Sequence, residues 1–406
     1  MNKNILILRN VRMNGELHDL TIDEDAGIMT AIGQTNEKAL PTARIRTEDA
    51  CGLHYMPAMT DKHIHLDKHF LGEPWKPLQP FVTLPGQLAF EKAMLTSLPT
   101  NALERARRML LLLLSQGTTS IRTHVDIDPV IGLAHLEGLL QAKSEFAGRM
   151  DIEIVAFPQQ GLLRSGSIPI LKEAMRAGAD YVGGVDPAGL DQRVDASLEA
   201  MFEVATEFGA GVDMHLHDPG HLGLYTIGRF ADLAEEAGLA GRAAVSHAYC
   251  LGQINEAKQD RIADKLRASG VAIITSVPID RPMPPVGRLL DASVDVFVGC
   301  DNILDAWSPF GNGDLLARGS RLAEKEGWIV DEDLLRVAPL IGAAALTPKP
   351  GDAASFLLVP AMNPMHAIAS APPREAVYTR GRLVGGRWHE DRTRARSASG
   401  TEHSLS

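Results

Sequence analysis

Short apolar runs alternate with helical periods through the middle of the chain. Eight runs read as strands: "LHYMPAMTDKHIH", "TSIRTHVD", "DIEIVAF", "YVGGVD", "AGVDMHLH", "AAVSHAYC", "GVAIITSVP" and "VDVFVGCD". Between them lie segments with helical grammar. Residues 101–117, "NALERARRMLLLLLSQG", end at a glycine. "SIPILKEAMRAGA", "DASLEAMFEVATEFGAG", "HLGLYTIGRFADLAEEAG" and "NEAKQDRIADKLRASG" repeat the pattern of polar start and glycine stop. Strands spaced by roughly thirty residues, each followed by a helix or long connection, predict a (β/α)8 TIM barrel. An open doubly wound sheet would place a glycine-rich phosphate loop after its first strand. This chain places His63, His65, Asp67 and Lys68 there instead.

The two ends have another character. "ILILRNV", "MNGELHDLTID" and "GIMTAIG" predict strands near the start, and "ASFLLVPA" with "AVYTRGRLVGGRWHE" near the end. Neither piece is large enough for a core of its own. They predict one small β-sandwich domain from residues 1–56 and 350–391, with the metal-dependent barrel spanning 57–349. Residues 392–406, "RTRARSASGTEHSLS", are expected as a disordered tail.

Barrel chemistry gathers at the C-terminal ends of the strands. Polar residues fall where a packed barrel would carry aliphatic ones: His63 and His65, His124, Gln159, Asp186, His215 and His217, His247 and Asp301. Along a strand, residues i and i+2 face the same side, so His63 and His65 can converge on one ion. With His215, His247 and Asp301 at matching ends, nitrogen and carboxylate donors suit one divalent metal, Zn2+ first, with Fe2+ or Mn2+ as alternatives. Asp301 can ligate and accept a proton, or simply cap a following turn, a role for which Asp305 is the better candidate. His247 is either a buried structural histidine or the group that orients the attacking water. His124 is kept outside the ligand set. His54, His69, His135 and His221 are expected to be incidental.

The motifs "DKHIHLDKHF", "SIRTHVDID", "EIVAFPQQGLL", "VDMHLHD", "SHAYC" and "GCDNILDAWSPFGNGD" follow one another in an order that resembles the amidohydrolase superfamily, specifically its cytosine deaminase branch. The likeness runs from about Asn4 to Trp388 and is strongest to triazine-ring amine hydrolases. It implies a single metal held by His63, His65, His215 and Asp301, with His247 and Asp301 activating water. It implies that Gln159, Trp307 and Asn302 lie near the substrate ring, and that Lys68 matches an active-site lysine. Binuclear relatives carry a bridging lysine at the end of the fourth strand; "YVGGVDPA" has none, which favours one metal. One departure stands out. Cytosine deaminases carry His-x-x-Glu on the fifth strand, whereas this chain has His215-x-x-Asp218, one methylene shorter. The proton shuttle therefore falls to Asp218 or to His217.

The resemblance implies a metal-dependent hydrolytic deaminase or aminohydrolase. It would release ammonia or an alkylamine from an amino-substituted pyrimidine- or triazine-like ring. The alternatives are a cytosine deaminase proper, a hydrolase that opens a cyclic amide, or a non-catalytic metal-binding scaffold. The four ligands and His247 together argue against the scaffold. The loops "FLGEPWKPLQPFVTLPGQ" and "IDRPMPPVG" are expected to be irregular and to shape the pocket.

Composition narrows the setting. With 40 Lys and Arg against 51 Asp and Glu, the net charge of -11 disfavours nucleic acid as a partner. Three cysteines, Cys51, Cys250 and Cys300, form no Cys-x-x-Cys pair and suit a reducing compartment. No apolar run is long enough for a signal-peptide core or a membrane span, so a cytoplasmic protein is expected. The apolar "MLLLLLSQ" segment is taken as a possible contact surface of a homo-oligomer.

Overall fold

The computed structural model describes residues 3–35, 44–343 and 345–398. The chain opens with β1 (Asn4–Met13), β2 (Glu16–Asp23), β3 (Ile28–Ile32), β4 (Arg44–Asp49) and β5 (His54–Pro57). Strand β1 pairs antiparallel with β2 and parallel with β4. The next strand, β6 (Met59–Ile64), starts the barrel only two residues after β5 ends. The run expected as one strand from Leu53 to His65 is therefore two. Pro57 has no N–H with which to extend a ladder, and Met59 donates to the carbonyl of Gly117 instead (3.0 Å).

The barrel continues with β7 (Thr118–Asp126), β8 (Asp151–Phe157), β9 (Tyr181–Val185), β10 (Gly211–Leu216), β11 (Ala243–His247), β12 (Val271–Thr275) and β13 (Val296–Val298). All eight strands are parallel and pair in chain order. Closure excludes the doubly wound alternative. It lies beside the first histidine pair: the Asp301 amide donates to the His63 carbonyl (2.8 Å), and the Cys300 amide reaches both Asp61 carboxylate oxygens (3.1 and 3.2 Å). The two backbones approach so closely that a Cβ on Gly299 would sit 2.5 Å from the Cβ of His63. Only glycine fits the seam.

After the barrel, β14 (Phe356–Val359), β15 (Ala376–Thr379) and β16 (Arg382–Gly385) return to the first sheet, with β14 antiparallel to β5. The strands of both chain ends form one hydrogen-bonded sheet of eight. It rolls up, since Gly27 and Met29 at the β3 edge bond to residues 351, 352 and 354 just before β14. Leu6, Leu8, Leu20, Ile22, Tyr55, Phe356, Leu358 and Tyr378 make a core separate from that of the barrel.

The helices depart from expectation in several places. Helix Ala134–Glu145 was not anticipated; its N-cap residue, Leu133, makes no side-chain capping bond, so the usual start signal is absent. A helix, Leu84–Thr96, grows out of the loop expected to be irregular, capped by Thr83, which accepts from the Gly86 amide (3.2 Å). Residues 392–398, expected as the start of a tail, continue the helix Arg387–Ala398, and Arg392 anchors it to Glu48 (2.5 Å). Residues 399–406 lie outside the described residues. Helix Ala102–Ser115 uses its apolar run internally: Leu110, Leu113 and Leu114 are buried and only Leu111 is exposed. Among the described residues, no helix is long and apolar enough to cross a membrane.

Candidate active site

Several non-glycine residues at the barrel rim adopt left-handed backbone, among them Asp186 (φ 39°), His247 (71°), Ala248 (45°) and Asp301 (58°). Such conformations are costly and concentrate at functional sites. They mark where strands turn over the mouth of the barrel and swing polar side chains inward.

Two overlapping groups among the described residues can hold an ion: His63, His65 and Asp301, and His63, His124 and His215. His63 Nε2 and His65 Nε2 stand 3.4 and 3.5 Å from Asp301 Oδ1. The buried His63 Nε2, both nitrogens of His124 and of His215, and Asp301 Oδ1 have no hydrogen-bond partner within the protein. Buried polar atoms are rarely left so. Burial pushes His65 down to about 4, and burial together with the neighbouring histidines holds His124 and His215 well below the usual imidazole range. Neutral imidazoles with free lone pairs are the form that binds a metal. The donor set thus fits a divalent ion, and it includes His124, which sequence reasoning left out. Its ring lies 4.2 Å from that of His63 and 4.5 Å from that of His215, centroid to centroid.

The far side of His63 is fixed by a relay. His63 Nδ1 meets Ser246 Oγ (2.8 Å), Ser246 donates to Asp213 (3.0 Å), and Asp213 pairs with the buried Arg122 (2.9 Å). Relays of this kind set the tautomer and ring orientation of a ligand histidine.

A cavity of about 50 Å³ opens onto this centre, lined by His65, His215, His217, His247 and Asp301. Its lining also includes Lys68, Gln159, Asn302 and Trp307, with Leu84, Leu88, Phe157, Val185 and Leu190 supplying apolar surface. The cavity and the centre beneath it together gather His63, His65, Lys68, Gln159, His215, His217, His247, Asp301, Asn302 and Trp307. Asp218 belongs to neither. Its carboxylate accepts from the Ala188 amide (3.1 Å), and burial, with Asp186 adding to it, raises it to about 6. His217 faces the cavity instead. Asp186 accepts from both its backbone amide (2.6 Å) and its Nδ1 (2.9 Å). Burial would depress the imidazole, but the carboxylate outweighs it and raises His217 above its usual value. The incidental histidines stay outside: His135 bonds Asp67 (2.9 Å), His69 bonds the Arg105 carbonyl (2.8 Å), and the exposed His221 meets Lys258.

A closed (β/α)8 barrel with a histidine and carboxylate centre at the foot of a cavity defines a hydrolase-type barrel enzyme. Residues 46–341 match the amidohydrolase family, and the chain belongs to it; it is an enzyme that hydrolyses carbon–nitrogen bonds. It is 36% identical over 378 residues to the uncharacterized protein YahJ of Escherichia coli (strain K12), covering 90% of this chain and 82% of that one. It is 32% identical over 357 residues to the N-isopropylammelide isopropyl amidohydrolase of Pseudomonas sp. (strain ADP), covering 83% and 87%. The crystal structure of N-isopropylammelide isopropylaminohydrolase from Burkholderia multivorans superimposes with a TM-score of 0.87 at 30% identity, covering 95% of this chain and 99% of the other.

Proposed function

We propose that the protein replaces an amino or alkylamino substituent on a pyrimidine- or triazine-like ring with oxygen, releasing ammonia or an alkylamine. The observation that carries this reading is the lining of one cavity. Groups able to move protons share it with a buried lysine, two amides and an indole. The likeness to N-isopropylammelide hydrolases supports the same reading.

His63, His65, His215 and Asp301 would hold one divalent ion, for which Zn2+ fits the nitrogen-rich set best, with His124 within reach of it. When bound, the ion would supply Lewis acidity and lower the pKa of water at the centre. His247 and Asp301, 4.0 Å apart, orient that water and accept its proton. The water oxygen bonds to the ring carbon, and the carbon–nitrogen bond to the substituent breaks. His217, its Nδ1 held by Asp186, passes a proton from Nε2 to the ring or the leaving nitrogen. Lys68 stabilises negative charge on a ring oxygen. Burial works against its ammonium, but Asp126 and Glu91 outweigh that and keep it charged. Asn302 Oδ1, buried and without a partner, accepts from a ring N–H. Trp307 and the leucines shape a slot for a flat ring.

The three cysteines are free, which suits a reducing compartment, and we place the enzyme in the cytoplasm.

The test is release of ammonia and alkylamine from a panel of aminotriazines, N-alkylaminotriazines, cytosines and cyclic amides, before and after chelation. Amine release that stops on chelation and returns with about one metal per chain supports the proposal. Ligand-induced thermal shifts without turnover would point to a binding protein, and ring opening without amine release to a cyclic amidase.

A further inference from the structure

The helix Leu84–Thr96 touches the body of the enzyme along one stripe. Leu84, Gln87, Leu88 and Glu91 follow the i, i+3, i+4, i+7 spacing of a single helical face, and Gln87, Leu88 and Glu91 are its buried residues. Leu84 and Leu88 reach the cavity. Glu91 is the one buried charged residue of the helix, 2% exposed, while the half-buried Lys92 beside it pairs with Asp128.

Three donors converge on the Glu91 carboxylate. Trp307 Nε1 donates to Oε1 at 2.7 Å, Gln159 Nε2 donates to Oε2, and Lys68 Nζ stands 3.4 Å from Oε1. Lys68 also donates to Gln159 Oε1 at 2.6 Å. The Gln159 amide is thus pinned at both ends, its oxygen toward a cation and its nitrogen toward an anion, and it cannot flip. An ionised carboxylate is the side chain that offers two acceptor oxygens and no donor. A glutamine at 91 would point an NH2 at one of these donors. An aspartate would fall one methylene short.

We propose that Glu91 is the positioning residue of the ring-recognition wall, setting Lys68, Gln159 and Trp307 from a helix inserted after the first barrel strand. This rests on the reading that those three side chains face the substrate. Glu91 does not line the cavity, so it acts through them. The water-activating pair, His247 and Asp301, makes no contact with it. Loss of Glu91 therefore weakens ring binding more than it slows the chemical step.

The experiment compares Glu91→Gln and Glu91→Asp with wild type in the metal-loaded full chain, using whichever panel substrate the wild type turns over. Expected is a fall in kcat/KM of ~10–100-fold, the scale seen when outer partners of a site are removed, carried mainly by KM, with metal content unchanged. Indole emission assigned to Trp307, by difference against Trp307→Phe, changes in Glu91→Gln. Gln87→Ala, which cuts the other buried polar tie of the helix, to the Ala306 carbonyl, tests mere docking. Kinetics within twofold of wild type, unchanged Trp307 emission, or an equal loss in Gln87→Ala would each overturn the proposal. If the wild type turns over nothing in the panel, the functional reading fails, while the Trp307 emission still decides the Glu91 contact. If Glu91→Gln does not fold, Glu91→Asp, which keeps the charge, carries the same comparison.

Discussion

Asp186 grips His217 with both carboxylate oxygens, one on the backbone amide at 2.6 Å and one on Nδ1 at 2.9 Å. The aspartate at the end of one strand thereby orients the imidazole at the end of the next and leaves Nε2 for the cavity. This relationship separates the two candidates for proton transfer. His217→Ala is expected to lower kcat by ~10²–10⁴-fold, the usual weight of a general acid or base. Asp218→Ala is expected to cost less than ~10-fold, since its carboxylate contacts the 188–189 loop rather than the cavity. Steady-state amine release from the two variants decides, and the reverse order would move the shuttle to Asp218.

Ser246 should govern metal affinity without being a ligand. It links His63 Nδ1 to Asp213, so Ser246→Ala leaves that nitrogen unpartnered. Affinity is expected to fall ~10–100-fold, read by competition with a chromogenic chelator. Wild-type affinity in this variant would show that the relay does not tune the centre.

Asp218 also makes a prediction about pH. Burial raises its carboxyl from 3.8 to about 6 in the folded protein. Between these values the folded state binds more protons than the unfolded one, so its contribution to stability falls as pH rises through the window and is constant above it. Asp218→Asn removes the penalty. The Tm advantage of the variant should be near zero below about pH 4 and reach a plateau above about pH 6.5. Melts across that range check it, and an advantage that shrinks with rising pH would contradict the assignment.

Arg374 ties the returning C-terminal segment to the barrel. Its side chain is 1% exposed, pairs with both carboxylate oxygens of Asp314, and donates from Nε to the Gln116 carbonyl (2.9 Å). Asp314 in turn caps helix Leu315–Glu326. Arg374→Ala leaves the largely buried Asp314 carboxylate with its cap bond but no cation, and a loss of ~3 kcal/mol is expected. Chemical denaturation measures it; a loss below about 1 kcal/mol would mean that water reaches Asp314.

What the sequence made legible was position along a strand. His63, His65, His215, His247 and Asp301 were readable because a polar residue at the end of a barrel strand breaks the aliphatic pattern. His124 breaks it equally, but a lone histidine in "IRTHVD" has no neighbouring partner to announce it. Carried two residues past the end of the strand at Leu216, alternation puts His215 and His217 on one face and Asp218 on the other. The controlling carboxylates were out of reach. Asp186 acts on a residue 31 positions away, and Glu91 on Gln159 across 68, from a helix whose start is hidden in a proline-rich stretch. Such relations exist only once the chain has folded.

The pairing of β5 with β14 sets a timetable for synthesis. Strand β6, which leads to the first histidine pair, begins two residues beyond β5, and the partner of β5 lies about 300 residues further on. At about 5–20 residues per second, a ribosome needs on the order of 15–60 s to make that stretch. Throughout that interval β5 is a sheet edge with no neighbour on one side, while β7 and β13, which flank β6, are made within it. Among the described residues every group that could hold an ion precedes β14, so the centre can gather before the small sheet is complete.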